Sequence, residues 1–404
     1  MSKMNPGLIF SVDDDLNEWL RDIRRTIHRN PELSNQEYET RSFVSGKLRE
    51  IGVDRQIELA RTGLVATLGG KLQSPAGQDS PCVALRADMD ALPVGEKTGL
   101  PFASRNRGVM HACGHDGHVA MLLGAAALLS RKKLPGRVKL LFQPAEEKGS
   151  GAWELIREDG LAGVEAIFAG HIDRHFEVGQ IAAEPGLICA YTDSFRIRIC
   201  GRGGHAARPH EAVDSIVVAS LLVMSIQTLV SREVNPSYPT VVSVGKIRGG
   251  TAGNVIADET VLEGTIRSTH PEVRIQIIAG LERMVGSMEA LYNARADIVF
   301  DKAMPPVINH VGAAELAREA ARLVVGPGGV VAQLHPSLGG EDFAYYLNEI
   351  PGCLVRFGAR KADLEEVPAH SPFFDFDEAV LPVGAAFLAQ VAWSALAKID
   401  TLRR

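Results

Sequence analysis

Apolar residues in the first half of the chain follow two spacings, one typical of amphipathic helices and one typical of buried strands. Apolar side chains recur at helical intervals over 13–29 and 36–50, and a long Ala- and Leu-rich stretch covers 119–130. Short continuous apolar runs occur at 64–70, 82–87, 138–143 and 166–170. Strand-like runs that alternate with helical stretches predict an α/β fold with a mostly parallel sheet flanked by helices.

The pattern changes after about residue 192. Strand, helix, strand, strand, helix and strand patterns follow in turn, at 194–200, 213–231, 240–247, 259–267, 271–291 and 296–300. This order is the split-βαβ, or ferredoxin-like, arrangement of an α+β domain. Helix, strand and helix patterns then return, at 312–324, 353–357 and 378–398. We therefore expect a discontinuous main domain, 1–191 and 307–404, and a smaller domain inserted at 192–306.

Composition indicates a soluble globular protein. The 404 residues are 46% hydrophobic and 23% charged, and the net charge of −6 offers no basic surface for nucleic acid. No uninterrupted apolar run approaches the roughly 18 residues of a membrane helix. The N-terminal apolar patch runs directly into three aspartates at 13–15, unlike a secretory signal. We expect a cytoplasmic protein whose partner is a small molecule rather than nucleic acid or a membrane.

Side chains typical of metal ligands directly follow three of the strand-like runs. They are Asp88 with Asp90, Glu146 with Glu147, and His171. Because ligands bind beyond the carboxyl ends of the strands in an open α/β sheet, we expect these side chains to converge on one site.

A fourth candidate segment, GVMHACGHDGHVAM (108–121), contains Cys113 and His115 just before a predicted helix. The five cysteines are odd in number and widely spaced, which argues against a disulfide framework. Thiolate, imidazole and carboxylate groups together favour an open catalytic centre with two metal ions over a closed zinc finger. His118 is expected to pack at the start of the helix, because extra ligands are rare once a metal site is filled.

Eight motifs carry a resemblance to a known family, in the order RADMDALP (86–93), MHACGHDGH (110–118), FQPAEE (142–147), GRGGHAARPH (201–210), GNVIAD (253–258), EGTIR (263–267), GGEDF (339–343) and HSPFFDFDE (370–378). They resemble the metal-dependent aminoacylase family, which includes hippurate hydrolases, N-acyl-amino-acid amidohydrolases and auxin-conjugate hydrolases and is akin to glutamate carboxypeptidases. The resemblance implies a dinuclear-metal peptidase-like fold, with the inserted domain serving as lid and dimerisation domain. It also implies hydrolysis of hippurate-like, N-acetyl-amino-acid-like or aminobenzoyl-glutamate-like amides.

The resemblance also implies roles for particular residues. Two divalent ions per subunit, zinc or manganese with cobalt or nickel as alternatives, would be held by Cys113, His115, Glu147, His171 and His370. Cys113 would bridge the ions. By the same resemblance, Asp88 and Asp90 would support a ligand histidine and would not bind metal themselves. Glu146 would be the general base, taking a proton from the attacking water and delivering it to the leaving amine.

The inserted domain would supply a second set of residues. His205 resembles a histidine that reaches the active site of a partner subunit, which implies a homodimer. Asn254 and Arg267 resemble residues that hold the carbonyl oxygen and carboxylate of the substrate, and Gly340 would line the pocket. After His171 the chain reads Ile-Asp-Arg-His where the family often has an aromatic residue and proline, a departure that bears on substrate identity.

Three other interpretations stay open at this stage. One is a dipeptidase or carboxypeptidase that uses the same metal centre, and another is a binding protein that keeps the fold without catalysis. The third is cysteine-nucleophile catalysis by Cys113 with His115, which lacks an evident third group to orient the histidine. Retention of Glu146 and of every ligand position favours a metal-dependent hydrolase.

Overall fold

The computed structural model describes residues 7–70, 80–301, 303–364 and 367–402, so residues 1–6, used in the localisation argument, lie outside it. The strands are β1 Gln56–Leu59, β2 Gly63–Gly69, β3 Cys82–Asp88, β4 Arg137–Gln143, β5 Ala166–Asp173, β6 Ile181–Ala182, β7 Gly186–Cys189, β8 Tyr191–Cys200, β9 Gly204–His205, β10 Thr240–Gly249, β11 Val255–Ile256, β12 Glu259–Ser268, β13 Arg295–Phe300, β14 Val307–Asn309, β15 Val330–Val331 and β16 Gly352–Gly358. The α-helices are α1 Asp14–Arg29, α2 Tyr38–Glu50, α3 His115–Ser130, α4 Gly151–Arg157, α5 Ser215–Thr228, α6 Pro271–Tyr292, α7 Val311–Val325, α8 Ala344–Glu349 and α9 Val380–Ala397.

The chain divides into two compact units. The larger unit comprises Met1–Ile188, Val307–His335 and Glu341–Arg404, and the smaller unit comprises Cys189–Pro306 and Pro336–Gly340. The predicted boundaries, 192 and 306, did not anticipate that a short segment before α8 joins the smaller unit. The backbone N–H of Ala190 donates to the carbonyl of Ser337 at 2.9 Å, which ties this segment to the start of β8.

The larger unit is built on a mixed eight-stranded sheet in the order β1-β2-β4-β3-β5-β16-β6-β15. Its central strands β4, β3, β5 and β16 run parallel, as the apolar runs predicted, whereas β1, β2 and β6 pair antiparallel with a neighbour. Every residue of β3 and β16 is buried, because helices cover both faces of the central sheet. The antiparallel edge follows from the short hairpin between β1 and β2, which can join only antiparallel strands.

Helices α3 and α9 pack closely against each other in the core of the larger unit. Two glycines allow this approach: a Cβ at Gly384 would lie 1.9 Å from the Met121 sulfur, and one at Gly124 would lie 2.7 Å from the Ala385 Cβ. The Ala- and Leu-rich stretch therefore forms a core helix, buried along nearly its whole length.

In the part of the chain that the structure describes, two helical segments are long and apolar enough to cross a membrane by length and composition alone, Ser215–Glu233 and Val380–Ala397. The burial of their apolar windows is 33% and 72%, respectively. The search for uninterrupted apolar runs missed both, because uncharged residues such as Ser, Gln and Gly interrupt the apolar runs. The first segment has charges only at its end, Arg232 and Glu233, and the second has none. Core helices of soluble proteins pass the same test, and the second segment is the core helix α9, so the evidence for a membrane span is weak.

The smaller unit contains a four-stranded antiparallel sheet in the order β10-β12-β8-β13, the strand order of a ferredoxin-like domain. Side chains of β8 alternate, so that Phe195, Ile197 and Ile199 are buried with apolar residues of α5 and α6. The side chains between them face away from the helices. A separate two-stranded ribbon pairs β9 with β11.

Candidate metal centre

The parallel strands place Asp88, Glu146, Glu147 and His171 at one edge of the large sheet. Strands β3 and β4 run in the same direction, as do β3 and β5, so their carboxyl ends lie side by side. His171 lies within β5, and Glu146 and Glu147 follow β4 after a turn in which Ala145 adopts a φ of 50°.

The Cys113 loop is held against the same edge by the start of α3. Gly114 caps the helix with a φ of 97°, a conformation that favours glycine, and His115 is the first helical residue. His370 also has a positive φ, 66°, and its backbone N–H donates to the carbonyl of Ala112 at 2.8 Å. The hydrogen bond holds the His370 loop beside the Cys113 loop and keeps His370 in this uncommon backbone conformation.

The five predicted ligands form one cluster in the larger unit. The Cys113 sulfur lies 3.5 Å from Nε2 of His171, and Oε1 of Glu147 lies 3.4 Å from Nε2 of His370. His115 connects the two pairs, since its Nε2 is 4.0 Å from the same Glu147 oxygen. Overlapping groups of these donors, each within 4.8 Å of one another, have the spacing needed to hold metal ions.

Two atoms that face this cluster are buried and lack a hydrogen-bond partner among the described residues, namely Nε2 of His115 and Oε1 of Glu147. The opposite nitrogen of His115, Nδ1, donates to the Asp90 carbonyl at 2.9 Å, and Nδ1 of His171 donates to the Ile172 carbonyl at 2.7 Å. Each imidazole therefore turns its Nε2 toward the cluster. Two unpaired atoms, one nitrogen and one oxygen, beside a thiol and further imidazoles form a set of ligand groups that fits a pair of divalent ions.

Electrostatics in the cluster indicate surplus negative charge. The Cys113 and Glu147 side chains raise the pKa of His370 to about 10. Burial and then the carboxylates of Glu341 and Asp342 raise the pKa of Glu146 well above its usual range. Bound cations would neutralise this charge, which is a second reason why the residues fit metal ions.

Residues behind the ligands hold them in place. Oδ2 of Asp90 accepts hydrogen bonds from the Ser34 hydroxyl at 2.7 Å and from the Glu147 N–H at 3.0 Å. His118 uses both ring nitrogens, because Nε2 accepts from the Ile172 N–H at 2.9 Å and Nδ1 donates to Asp88 at 2.6 Å. His118 therefore serves the scaffold rather than a metal ion.

Sequence reasoning missed the buried network under Glu146. The guanidinium of Arg86 donates to Gln143, Asp88, Glu341 and Asp342 at 2.6–3.0 Å. The N–H of Asp342 lies 3.4 Å from Glu146 Oε1. The motifs RADMDALP and GGEDF pointed to these residues without indicating that they meet.

The other four predicted site residues belong to the smaller unit. Pairing of β9 with β11 places His205 opposite Val255, and the Ala206 N–H donates to the Asn254 carbonyl at 3.2 Å. His205 and Asn254 are thus neighbours, and both are exposed. Arg267 is half-buried on β12, and Gly340 ends the Pro336–Gly340 segment.

Comparison with known proteins agrees with this geometry. A model of peptidase family M20/M25/M40 matches residues 84–394. The chain is 40% identical to an N-acetyl-L-cysteine deacetylase of Bacillus subtilis over 93% of this chain and 88% of the relative. It is 38% identical to an IAA-amino acid hydrolase of Arabidopsis thaliana over 95% of this chain and 87% of the relative.

A solved structure from Bacillus subtilis, described as a dinuclear metal binding peptidase from the M20 family, superposes with a TM-score of 0.80 at 34% identity. The match covers 96% of this chain and 99% of that one. The match to the family model and the similarity to these relatives agree with the cluster of five predicted ligands. This chain belongs to peptidase family M20/M25/M40.

Proposed function

We propose that the protein hydrolyses the amide bond of N-acyl amino acids and releases a carboxylic acid and a free amino acid. The observation that carries the proposal is the position of Glu146, a carboxylate that is not among the predicted ligands yet lies 3.9 Å from Nε2 of the predicted ligand His115. The names of the two relatives, a deacetylase of an N-acetyl amino acid and a hydrolase of an amino acid conjugate, support the substrate class.

Two divalent ions at the cluster, zinc or manganese in our proposal, would polarise the scissile carbonyl and lower the pKa of an attacking water. The carboxylate of Glu146 would take the proton of that water and deliver it to the leaving amine. Burial and the neighbouring carboxylates raise the pKa of Glu146, which suits this exchange because the carboxyl group holds a proton more readily than an ordinary glutamate does.

In the smaller unit, we propose that His205 and Asn254 stabilise the oxyanion that develops on the carbonyl oxygen. Arg267 would bind the substrate carboxylate, since a guanidinium fork matches a carboxylate with two parallel hydrogen bonds. Gly340 would line the pocket. The closeness of His205 to Asn254 supports a joint role.

We further propose a cytoplasmic homodimer formed through the smaller unit. Helix α5 carries apolar side chains on its outer face, with Val217 51% and Met224 70% exposed, and β10 is an edge strand. A second copy would cover both features. Met224→Glu is expected to give a monomer in analytical ultracentrifugation.

The test combines metal analysis with hydrolysis of N-acetyl-, N-benzoyl- and aminobenzoyl-amino acids. We expect about two ions per chain, release of free amino acid that stops on chelation and returns with Zn²⁺ or Mn²⁺, and loss of activity in Glu146→Gln with metal content retained. Full activity in metal-free protein, or in Glu146→Gln, would contradict the proposal.

The alternatives are separated by the same assay. A dipeptidase on this metal centre would require a free α-amine, and a carboxypeptidase would release the C-terminal residue from peptides in preference to cleaving N-acetyl amino acids. A binding protein would retain metal and ligand without turnover. Cysteine-nucleophile catalysis would survive chelation, because it needs no metal ion.

A further inference from the structure

The face of the smaller unit's sheet that is turned away from α5 and α6 carries a hydroxyl directly beside a guanidinium. In the pairing of β8 with β12, Thr192 lies directly opposite Arg267. Side chains alternate along each strand, and Asp193 and Ile266 are buried on the helix-covered face. Thr192 and Arg267 therefore project together from the other face, as directly opposed residues of an antiparallel pair do.

The Thr192 hydroxyl is buried and has no hydrogen-bond partner among the described residues. The backbone of Thr192 is fully used, since its N–H donates to the Met304 carbonyl at 3.2 Å and its carbonyl accepts from the Met304 N–H at 2.9 Å. Only the side-chain oxygen is left unpaired. Burying an unpaired hydroxyl costs stability, and such exceptions call for an explanation.

Arg267 beside it lacks a counter-charge. Within the described residues the only hydrogen bond of its guanidinium runs from Nη1 to the Ile266 carbonyl at 3.1 Å, and no carboxylate forms an ion pair with it. The nearby acid Asp193 is occupied by Arg274, which binds it with two hydrogen bonds of 2.8 and 2.6 Å. Burial lowers the pKa of Arg267, opposed by the more distant charge of Asp193.

We propose that the Thr192 hydroxyl donates a hydrogen bond to the substrate carboxylate that Arg267 binds, and that it is a specificity residue for that carboxylate. This inference rests on the proposed function and deepens it. The guanidinium and the hydroxyl together supply donors for a group that only accepts. A C-terminal carboxamide would turn its own N–H₂ toward one of these donors, so the site would select acids over amides.

The lack of a side chain at Gly340 leaves room beside the Thr192 hydroxyl. A Cβ at Gly340 would lie 3.0 Å from Oγ1 of Thr192 and 3.1 Å from the sulfur of Met304, closer than side chains normally approach. Any larger residue would press against the hydroxyl. The proposal thus gives a physical reason for a glycine at this position.

The experiment uses the full-length, metal-loaded protein with Thr192→Val, which removes the hydroxyl at nearly constant volume. We measure kcat and KM for the best N-acyl amino acid and the inhibition constant of its C-terminal carboxamide. The expected result is a rise in KM of about tenfold or more, because a hydrogen bond to a charged group is lost. The inhibition constant of the carboxamide is expected to change less than twofold.

Thermal stability separates this role from a structural one. Replacing a buried, unpaired hydroxyl with a methyl group should leave the melting temperature of Thr192→Val unchanged or raise it. Thr192→Ser should restore KM, because it keeps the hydroxyl. Ser194→Ala is the matched control, since Ser194 lies two residues along the same face of β8, and it should leave KM unchanged.

The possible results are distinct. An unchanged KM in Thr192→Val, equal weakening of acid and carboxamide, or a lowered melting temperature with unchanged selectivity would each overturn the inference while leaving the amidohydrolase proposal intact. If Thr192→Val does not fold, Thr192→Ala is judged by the same criteria. Absence of N-acyl amino acid hydrolysis in the unmodified protein would instead refute the proposed function, and this inference with it.

Discussion

Replacing Arg24 with methionine is expected to destabilise the larger unit strongly. Arg24 is 1% exposed, and its guanidinium contacts Asp116 at 2.9 Å, Asp375 at 2.7 Å and Glu378 at 3.2 Å. Methionine preserves much of the side-chain volume but leaves Asp116 and Asp375 buried without this counter-charge. Breaking a buried ion pair by removing one partner costs about 3–5 kcal/mol, which sets the expected loss in the free energy of unfolding.

Urea unfolding followed by tryptophan fluorescence measures this loss in the right unit, because Trp19, Trp153 and Trp393 all belong to the larger unit. Metal-free protein is used so that ion binding does not add to the measured stability. Arg25→Met is the matched control, since Arg25 is 42% exposed and also pairs with Glu378. An exposed pair contributes about 1 kcal/mol or less.

Equal destabilisation by Arg24→Met and Arg25→Met would refute the reasoning, because it would mean that the buried carboxylates do not need the Arg24 charge. The network also bears on function. Asp116 directly follows His115 in the first turn of α3, so Arg24 anchors the turn that carries a predicted metal ligand. Metal affinity should therefore fall in Arg24→Met and stay unchanged in Arg25→Met.

Three further predictions follow from individual positions. Gly286→Ala, at an exposed position of α6 where an added Cβ meets no atom within 4 Å, should raise the free energy of unfolding by up to about 1 kcal/mol in thermal denaturation. Gly151→Ala would place a Cβ 1.6 Å from the Pro144 carbonyl oxygen and so displace the turn that carries Glu146. We expect kcat to fall by roughly 100-fold. An unchanged kcat would show that the turn can adapt. Burial alone would raise the pKa of Asp375, but the charges of Arg24 and Lys361 outweigh it and lower this pKa. Asp375 therefore stabilises the fold at pH values above its unfolded pKa of about 3.9. This contribution is lost as the pH falls through the lower pKa of the folded state. Acid titration of stability should accordingly be less steep in Asp375→Asn than in the unmodified protein.

Hydrophobic patterns in the sequence predicted the longer strands and helices. The continuous apolar runs correspond to the buried strands β3, β4 and β5, and the stretches predicted as helices correspond to α1, α3 and α9. The two-residue strands β6 and β15 and the short helices α4 and α8 escaped prediction, because so few residues cannot display a period. They form where tertiary packing supplies partners for their backbone.

The sequence by itself determined the order of elements, the kinds of ligand group and their places at strand ends, since these follow from side-chain chemistry and spacing along the chain. Tertiary structure alone decided which groups meet. Arg24 looks like one more polar residue on an amphipathic helix, yet its partners Asp116 and Asp375 lie 92 and 351 residues away. Likewise, only strand register sets the Thr192 hydroxyl opposite Arg267. The physical reason is that burial and charge pairing act through space, between segments whose separation along the chain leaves no periodic signal.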